Sequence, residues 1–248
     1  QRDYDYDSVI HGSDLGDPAL LGRNAAARAL ARLNPRRPAT AKLPVLFDPR
    51  VSGSILGHFA SAISGASIAR GTSFLKDALG KQIFAPGINI IDDPLRVRGR
   101  RSRPCDREGQ PVRRMNFIED GHLTEWVLDT RSANQLGLKT NGHAGGLSNF
   151  YMEPGDMTPE ALMADIAEGL YVTEMMGSSI NGLTGDYSRG AAGFMIRNGE
   201  IAEPVAEFTI AGNLKDMFLN LTPANNLEFK RGTDAPTLRI EGMTLAGA

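Results

Sequence analysis

The sequence has a single cysteine, Cys105, among its 248 residues. One cysteine cannot form an internal disulfide, and this usage suits a reducing compartment, so we expect a cytoplasmic location. No stretch approaches ~18 consecutive apolar residues, which argues against a membrane-spanning helix. Neither sign of charge dominates, since 27 Lys and Arg face 29 Asp and Glu for a net charge of -2. This balance gives no overall attraction for nucleic acid or anionic lipid.

The sequence also lacks the motifs of common metal and phosphate sites. Its four histidines, His11, His58, His122 and His143, are scattered with no paired spacing. There is no Gly-Lys-Ser/Thr phosphate loop and no Gly-x-Gly-x-x-Gly between a strand and a helix. These absences argue against a nucleotide-binding protein and against a compact histidine metal cluster.

Hydrophobic periodicity predicts helices early in the chain and strands later. A first helix runs from Asp17, with Pro18 in its first turn, to the stop at Asn34 and Pro35. The other predicted helices cover 53–66, 73–79, a turn after 130, 159–168 and 213–221. The predicted strands cover 43–47, 88–92, two strands within 114–129 joined by a turn at 119–122, 169–176, two strands within 190–210 joined by a hairpin turn at 197–200, 227–231 and 236–242. This order indicates an α+β fold, with early helices packed on a mostly antiparallel, curved sheet.

The first 14 residues, QRDYDYDSVIHGSD, are polar, with no initiator Met and no signal peptide. We interpret residues 1–14 as a linker from a preceding N-terminal domain, and residues 15–248 as one C-terminal domain.

Five segments in order resemble the TldD/PmbA family, two-subunit bacterial and archaeal peptidases once called modulators of DNA gyrase. They are LPVLFDPRVSGSILGHFASAISG, RSRPCDREGQPVRRMNFIEDGHLTEWVLDTRSANQLG, SNFYMEPGD, GFMIRNGEIAEPVAEFTIAGN and PTLRIEGMTLAGA. The resemblance runs over nearly the whole chain and implies the fold of the family's C-terminal domain.

The family has two branches, and the resemblance assigns this chain to one of them. The TldD-like branch carries a His-Glu-x-x-x-His helix and a later cysteine that bind zinc; the PmbA or TldE branch lacks these ligands. Here the three helix positions hold Gly57, His58 and Ala62, and the later segment TPANNLEFKRGTD has no cysteine. The resemblance therefore implies a PmbA-like chain with no metal of its own and zinc in a TldD-like partner.

The chemistry of the residues leads to the same expectation. Catalytic zinc needs about three protein ligands, an open position for water and a nearby general base. The helix offers one imidazole, and no Asp or Glu occurs between Arg50 and Lys76. We therefore predict no catalytic residue and no metal ligand in this chain, and interpret His58 as a packed histidine.

A glycine-rich loop, KTNGHAGGLSN at 139–149, is a candidate contact site. Glycines let backbone groups approach a ligand closely, and the corresponding segment in the catalytic branch resembles part of the substrate cleft. The candidate peptide or partner contacts are Asn141, Gly142, His143, Gly145, Gly146 and Asn149. The alternative is a plain connector between a helix and a strand.

Residues 96–114 carry eight arginines. No aromatic residue is interleaved among them, and Asp106 and Glu108 interrupt the run, so nucleic-acid binding is disfavoured. We predict an exposed loop that could contact an acidic patch on a partner. Cys105 within it has no histidine nearby in sequence and is interpreted as a bystander rather than a nucleophile.

The resemblance implies a non-catalytic subunit of a heterodimeric zinc metallopeptidase that cleaves short or unfolded peptides. The TldD-like partner would supply the metal and the base, and homodimers are a further possibility. One alternative is an independent metallopeptidase with unorthodox ligands, such as His58, His143 and a distant carboxylate. Another is a binding module acting on DNA gyrase.

Overall fold

The computed structural model describes residues 1–248 and contains six α-helices and eleven β-strands. The helices are α1 Pro18–Ala31, α2 Pro49–Ala62, α3 Gly65–Ala69, α4 Thr130–Gln135, α5 Pro159–Met163 and α6 Leu214–Leu219. The strands are β1 Ala41–Phe47, β2 Ile90–Asp92, β3 Met115–Glu119, β4 His122–Leu123, β5 Phe150–Met152, β6 Glu168–Ile180, β7 Asp186–Arg197, β8 Glu200–Asn213, β9 Leu221–Pro223, β10 Thr233–Asp234 and β11 Leu238–Ala246. None of the helices has the length and apolar character needed to cross a bilayer.

The strands form two sheets. The larger one is called the closed sheet. Its strands pair in the order β1, β6, β7, β8 and β11, and β11 pairs in turn with β1. Strand β9 pairs with β11 as well. The small sheet has the order β10, β5, β2, β3, β4. All pairs are antiparallel except β1 with β6 and β10 with β5. The predicted α+β class with a mostly antiparallel, curved sheet is confirmed, and the curvature continues until the sheet closes.

Two predicted turns form as the sequence indicates. Asn198 and Gly199 both have positive φ, at 50° and 82°, and join β7 to β8. Asp120 and Gly121, at 45° and 77°, join β3 to β4. Two successive residues with positive φ are the geometry of the tight hairpin turn that matches strand twist, and Asn-Gly and Asp-Gly adopt it readily.

Helix α2 begins earlier and ends earlier than the predicted 53–66. Asp48 accepts a hydrogen bond from the Arg50 backbone N–H at 2.8 Å, and Pro49 occupies the first turn. At the other end, the Ile63 carbonyl accepts from the Val127 N–H at 3.0 Å, and the Gly65 N–H donates to the Val127 carbonyl at 2.8 Å. These tertiary bonds take backbone groups that a longer helix would need, so α2 stops at Ala62.

Three other predicted elements are corrected in the same way. Residues 73–79 form turns rather than a helix, with the Lys76 N–H donating to the Ser73 carbonyl and the Ala78 N–H to the Leu75 carbonyl, while the Phe74 N–H donates to the Gly182 carbonyl. The predicted helix 159–168 ends at Met163, after which the Ile166 carbonyl accepts from Gly199 in the β7–β8 turn. Residues 227–231 form a loop rather than a strand, because the N–H groups of Lys230 and Arg231 both donate to the Asp234 carboxylate.

The first 14 residues are mostly irregular, as predicted, with a single 3-10 turn at Gly12–Asp14. Residues 1–10 make no backbone–backbone hydrogen bond. Side chains hold this segment instead, and the Asp3 side chain is buried with only 4% of its surface exposed. Its interpretation as an interdomain linker stays a prediction.

Helix α2 lies at the centre of the main hydrophobic core, which joins residues of both sheets. Phe59 is fully buried, and its ring centroid lies 5.2 Å from that of Phe84, 6.0 Å from that of Phe218 and 6.1 Å from that of Phe150. Such aromatic pairs add stability beyond the area that they bury. This packing fixes the rotation of α2 about its axis, and so fixes which residues face outward.

We expect Phe59→Ala to lower the free energy of unfolding by about 3–5 kcal/mol, because it leaves a cavity among three aromatic rings. The matched control is Phe229→Ala at a phenylalanine that is 38% exposed, where the loss should be less than about 1 kcal/mol. Urea denaturation followed by circular dichroism measures both changes. Equal losses in the two variants would contradict the central role of α2 packing.

Candidate functional site

Helix α2 carries the three positions that the sequence singled out, and they differ in exposure. A Cβ added at Gly57 would have no heavy atom within 4 Å, so this position faces open space. Ala62 is buried, at 8% exposure, and His58 is partly buried between them. His58 and Ala62, four residues apart, therefore share one face of the helix and line one cavity, whereas Gly57 lies to one side of it.

His58 lies edge-on to the Tyr187 ring of β7, with centroids 5.7 Å apart. Its Nε2 atom is buried and has no hydrogen-bond partner. Burial, with a smaller contribution from the positive charge of Arg189, lowers the pKa of His58 from 6.5 to about 4. The imidazole is therefore neutral at neutral pH. Burial also raises the pKa of the Tyr187 phenol, so this hydroxyl supplies no base.

A cavity of about 260 Å³ opens beside this face of α2, and we call it the His58 cavity. It is lined by His58, Ser61, Ala62, Ser67, Thr72, Ser73, Phe74, Ile180, Gly182 and Leu214. The lining offers hydroxyls, apolar groups and one imidazole, and it contains no carboxylate and no thiol. The lining therefore offers no carboxylate or thiol to activate water.

The glycine-rich loop is anchored by buried polar side chains. His143, at 3% exposure, lies with Nε2 3.2 Å from Asp92 Oδ2 and Nδ1 3.0 Å from the Asn141 carbonyl. Asn149 is equally buried and donates to the Asp93 carbonyl at 2.7 Å. Since these side chains already have partners inside the chain, their role is to hold the loop in place.

The other candidate contacts of this loop divide by exposure. Gly142 is buried, and a Cβ there would lie 2.7 Å from the Pro111 carbonyl oxygen. Gly145 is exposed and Gly146 is partly exposed, both with positive φ. Contact with a peptide or a partner stays a prediction, and these two glycines are where the surface permits it.

The sequence reasoning missed Asp92, which organises this loop. Asp92 is fully buried at the end of β2 and accepts from the Ser148 N–H at 2.8 Å, from Ser148 Oγ at 2.9 Å and from the His143 ring. The serine and the histidine both bind the carboxylate, so they do not form a relay of nucleophile, base and acid. The only sequence signal is an acidic residue closing the apolar run at 88–91.

The structure does not bring His58 and His143 together, so the two cannot share a metal with a carboxylate. Nowhere in the chain do three or more His, Cys, Asp or Glu side chains gather in a group able to hold a metal. His58 packs on Tyr187 of the closed sheet, whereas His143 packs on Phe117 of the small sheet. The unorthodox metal site is therefore wrong.

The arginine-rich loop at 96–114 is tied down by internal contacts. Arg96 lies over the Phe229 ring at 3.4 Å from its centroid, Arg98 pairs with Asp14 at 2.5 Å, and Arg103 donates to the Gly146 carbonyl. Asp106 accepts from three backbone N–H groups, including that of Ala144 in the glycine-rich loop at 3.0 Å. These contacts use much of the positive charge within the chain, and Cys105 is exposed with its thiol free.

A family model described as the PmbA/TldA metallopeptidase C-terminal domain matches residues 40–247. The chain belongs to the PmbA/TldD family. The resemblance drawn from the five sequence segments is thereby confirmed.

Relatives within the PmbA/TldD family match the whole chain. Metalloprotease PmbA of Escherichia coli O157:H7 is 43% identical over 248 residues, covering 100% of this chain and 55% of that protein. The PmbA homologue of Haemophilus influenzae is 39% identical over 251 residues, with the same coverage. The chain therefore spans about half the length of the curated relatives that it matches.

Solved structures show the same fold. A Bacteroides thetaiotaomicron protein that carries the description modulator of DNA gyrase superimposes with a TM-score of 0.91 at 29% identity, covering 98% of this chain and 55% of that chain. TldE of Thermococcus kodakarensis superimposes with a TM-score of 0.80, covering 92% of this chain and 55% of that chain. At 22% identity, the second likeness shows the fold alone.

The metallopeptidase family name implies a metal, and the donor set of α2 does not fit one. Zinc binds Cys, His and carboxylate ligands. The His58 cavity supplies one such group, and it is flanked by hydroxyls and apolar side chains. The segment 222–234 does approach α2, since a Cβ at Gly53 would lie 2.7 Å from the Thr233 carbonyl oxygen, but it carries no cysteine.

The lowered pKa of His58 predicts a pH-dependent stability. Between pH 6.5 and about 4, an unfolded chain protonates His58 while the folded chain does not, so unfolding is favoured as the pH falls through this window. In His58→Leu the fall in the free energy of unfolding across this window should be smaller by about 1 kcal/mol. This value is reduced for the partial exposure of the ring. Urea denaturation across the window measures it. Ser61→Ala, a change in the same cavity without a titratable group, is the control and should keep the loss observed with His58.

Asp92→Ala should lower the free energy of unfolding by about 3 kcal/mol or more. The Ser148 N–H, the Ser148 hydroxyl and the His143 ring would then be buried without the carboxylate to which they bond. The neighbouring Asp93→Ala removes only a hydrogen bond to the Leu95 N–H at an exposed turn and should cost less than about 1 kcal/mol. Chemical denaturation of both variants gives the comparison. A loss at Asp92 no larger than that at Asp93 would show that the loop does not depend on the buried carboxylate.

Proposed function

We propose that this chain is the C-terminal domain of a non-catalytic PmbA-like subunit of a cytoplasmic, heterodimeric zinc metallopeptidase. A TldD-like partner supplies the zinc and the general base, and the two subunits together enclose short or unfolded peptides for cleavage. The observation that carries the proposal is the composition of α2, where Gly57, His58 and Ala62 stand at the ligand and base positions.

The chemistry of the chain itself supports a role other than bond cleavage. Hydrolysis of a peptide bond needs an activated nucleophile and a group to take up its proton. His58 has no carboxylate or nucleophile partner, and the Ser148 hydroxyl is engaged by buried Asp92. The subunit therefore acts by shaping access to the peptide and by supporting the active partner.

A free strand edge offers a way to hold a peptide. β6 pairs with β1 only over Leu170–Val172, and beyond Val172 its ladder runs with β7 alone. Side chains of residues 174–180 reach α2, since Ser54 Oγ lies 3.6 Å from Met175 Sδ, and Ile180 lines the His58 cavity. An extended peptide can add to such an edge through backbone hydrogen bonds, largely independently of its sequence.

The test uses the full-length protein that contains this chain and the TldD-like protein encoded in the same genome. Adding the first to the second should raise the rate of cleavage of an unstructured peptide by about tenfold or more, equivalent to about 1.4 kcal/mol. Elemental analysis of each purified protein should find zinc only in the partner.

Two substitutions separate the roles of the subunits. His58→Ala in this chain should leave the stimulation intact, whereas Glu→Gln in the partner's His-Glu-x-x-x-His helix should abolish cleavage. Equal cleavage by the partner alone would refute the subunit role. Stoichiometric zinc in this protein that disappears with His58→Ala would instead support an independent metallopeptidase.

A further inference from the structure

A second cavity lies at the N-terminal end of α2, and its lining is rich in arginine. It has a volume of about 570 Å³ and lies between the end of α1, the first turns of α2, β6 and the loop before β10. We call it the arginine cavity, after Arg2, Arg32, Arg50, Arg189 and Arg231 in its lining. Only two carboxylates, Asp3 and Glu174, line it as well. The excess of positive charge makes it a place for an anion.

Two of these arginines already hold a carboxylate. Arg50 lies 2.9 Å from Asp3 Oδ1, and Arg32 lies 3.5 Å from Asp3 Oδ2. The exposed fractions of the two arginine side chains are 16% and 11%, and that of Asp3 is 4%. Each arginine contacts one oxygen of Asp3, while Arg32 also pairs with Glu174 and Arg50 with Asp48 at 3.1 Å. Hydrogen bonds between guanidinium and carboxylate groups strengthen where water is excluded. The position of Asp3 thus marks a built carboxylate site.

The segment that brings Asp3 there is held by side-chain contacts alone, without the backbone ladder of a helix or a strand. Residues 3–7, the acidic segment, have no backbone–backbone hydrogen bond to the rest of the chain. Asp5 lies 3.2 Å from Arg28 and accepts from Asn24 at 2.9 Å, and the Tyr6 ring lies 5.7 Å from the Arg231 guanidinium. Partly exposed ion pairs of this kind are individually weak.

A second, independent feature of the same cavity also indicates a ligand. Thr173 is buried, at 7% exposure, and its hydroxyl has no hydrogen-bond partner. It lies where the β6–β7 register shifts between Val172 and Glu174, and it lines the arginine cavity. A buried hydroxyl without a partner costs stability, so an acceptor entering the cavity would gain a hydrogen bond there.

The arginine cavity also joins the free edge of β6. Thr173, Glu174 and Met175 line it, and these are the first residues beyond the stretch that pairs with β1. A peptide added to this edge would run past the cavity, and side chains of an added strand point to alternate faces.

We propose that the arginine cavity binds an acidic side chain of an extended peptide, at the position now filled by Asp3. The inference deepens the proposed peptide-holding function and rests on it, naming peptides rich in Asp or Glu as the preferred class. The acidic segment is then an internal competitor that occupies the site when no such peptide is bound.

The direct test measures binding of two fluorescent peptides by anisotropy, both amidated at the C-terminus so that only side chains carry carboxylates. One has the chain's own sequence QRDYDYDS, and the other is the neutral analogue QRNYNYNS. Asp3→Asn should tighten binding of the acidic peptide by about tenfold or more, because it removes a competitor present at high effective concentration. The neutral analogue should bind about tenfold more weakly than the acidic peptide to this variant.

Arginine substitutions made in the Asp3→Asn background assign the site. Arg32→Gln and Arg50→Gln should each abolish the preference for the acidic peptide, and Arg50→Lys, which keeps the charge but loses the fork, should reduce it. Arg113→Gln, an equal change of charge at an exposed arginine outside the cavity, is the control and should leave the preference unchanged. Thermal unfolding of each variant verifies folding, and Arg32→Gln alone suffices if Arg50→Gln does not fold.

The outcomes separate this inference from the proposed function. Equal binding of the two peptides, or an acidic preference that survives Arg32→Gln, would overturn the carboxylate site while leaving peptide holding in place. Displacement of the acidic peptide by inorganic phosphate at a concentration equal to that of the peptide would overturn the peptide assignment and indicate a site for small anions. An acidic preference without stimulation of the partner's cleavage would support the site and refute the subunit role.

Discussion

The packing of α2 between the two sheets is the constraint on which the rest of the molecule depends. Phe59 lies against Phe84, Phe150 and Phe218, and this contact sets the rotation of the helix. With that rotation fixed, the C-terminal half of α2 faces the His58 cavity and its first turns face the arginine cavity. A single buried ring therefore positions both candidate sites, and the free edge of β6 connects them.

Carboxylates in this chain build the scaffold rather than a reaction centre. Asp48 caps α2, Asp92 and Asp106 hold the loops around residues 139–149, and Asp129 caps α4. Hydrogen bonds from Ser132 hold the pKa of the Asp129 carboxyl below its usual range, which reflects how fully it is used. A carboxylate committed to backbone N–H groups is a poor general base, because its lone pairs are already engaged.

The predictions from sequence succeeded where the chain's local chemistry decides the structure. Asn198-Gly199 and Asp120-Gly121 form their hairpin turns because few other residue pairs tolerate two positive φ angles. They failed where a tertiary partner competes for the backbone. Residues 73–79 have a helical pattern, yet Phe74 bonds to Gly182, and residues 227–231 wrap around Asp234 instead of forming a strand. The glycine-rich loop was located correctly, but its buried His143 and Ser148 are held by Asp92, which is 51 and 56 residues away in sequence.

The sequence by itself determined the α+β class, the family and the identities of Gly57, His58 and Ala62, because these follow from residue type, spacing and order. Only the tertiary structure decided which polar groups meet. It placed Asp92 beside His143, left the Nε2 atom of His58 without a hydrogen-bond partner, and brought Asp3 to Arg32 and Arg50. Residues so far apart in the chain meet only when the two sheets pack on α2, and no local pattern encodes these contacts. The arginine cavity exists only in the folded chain, because its lining residues come from distant parts of the sequence.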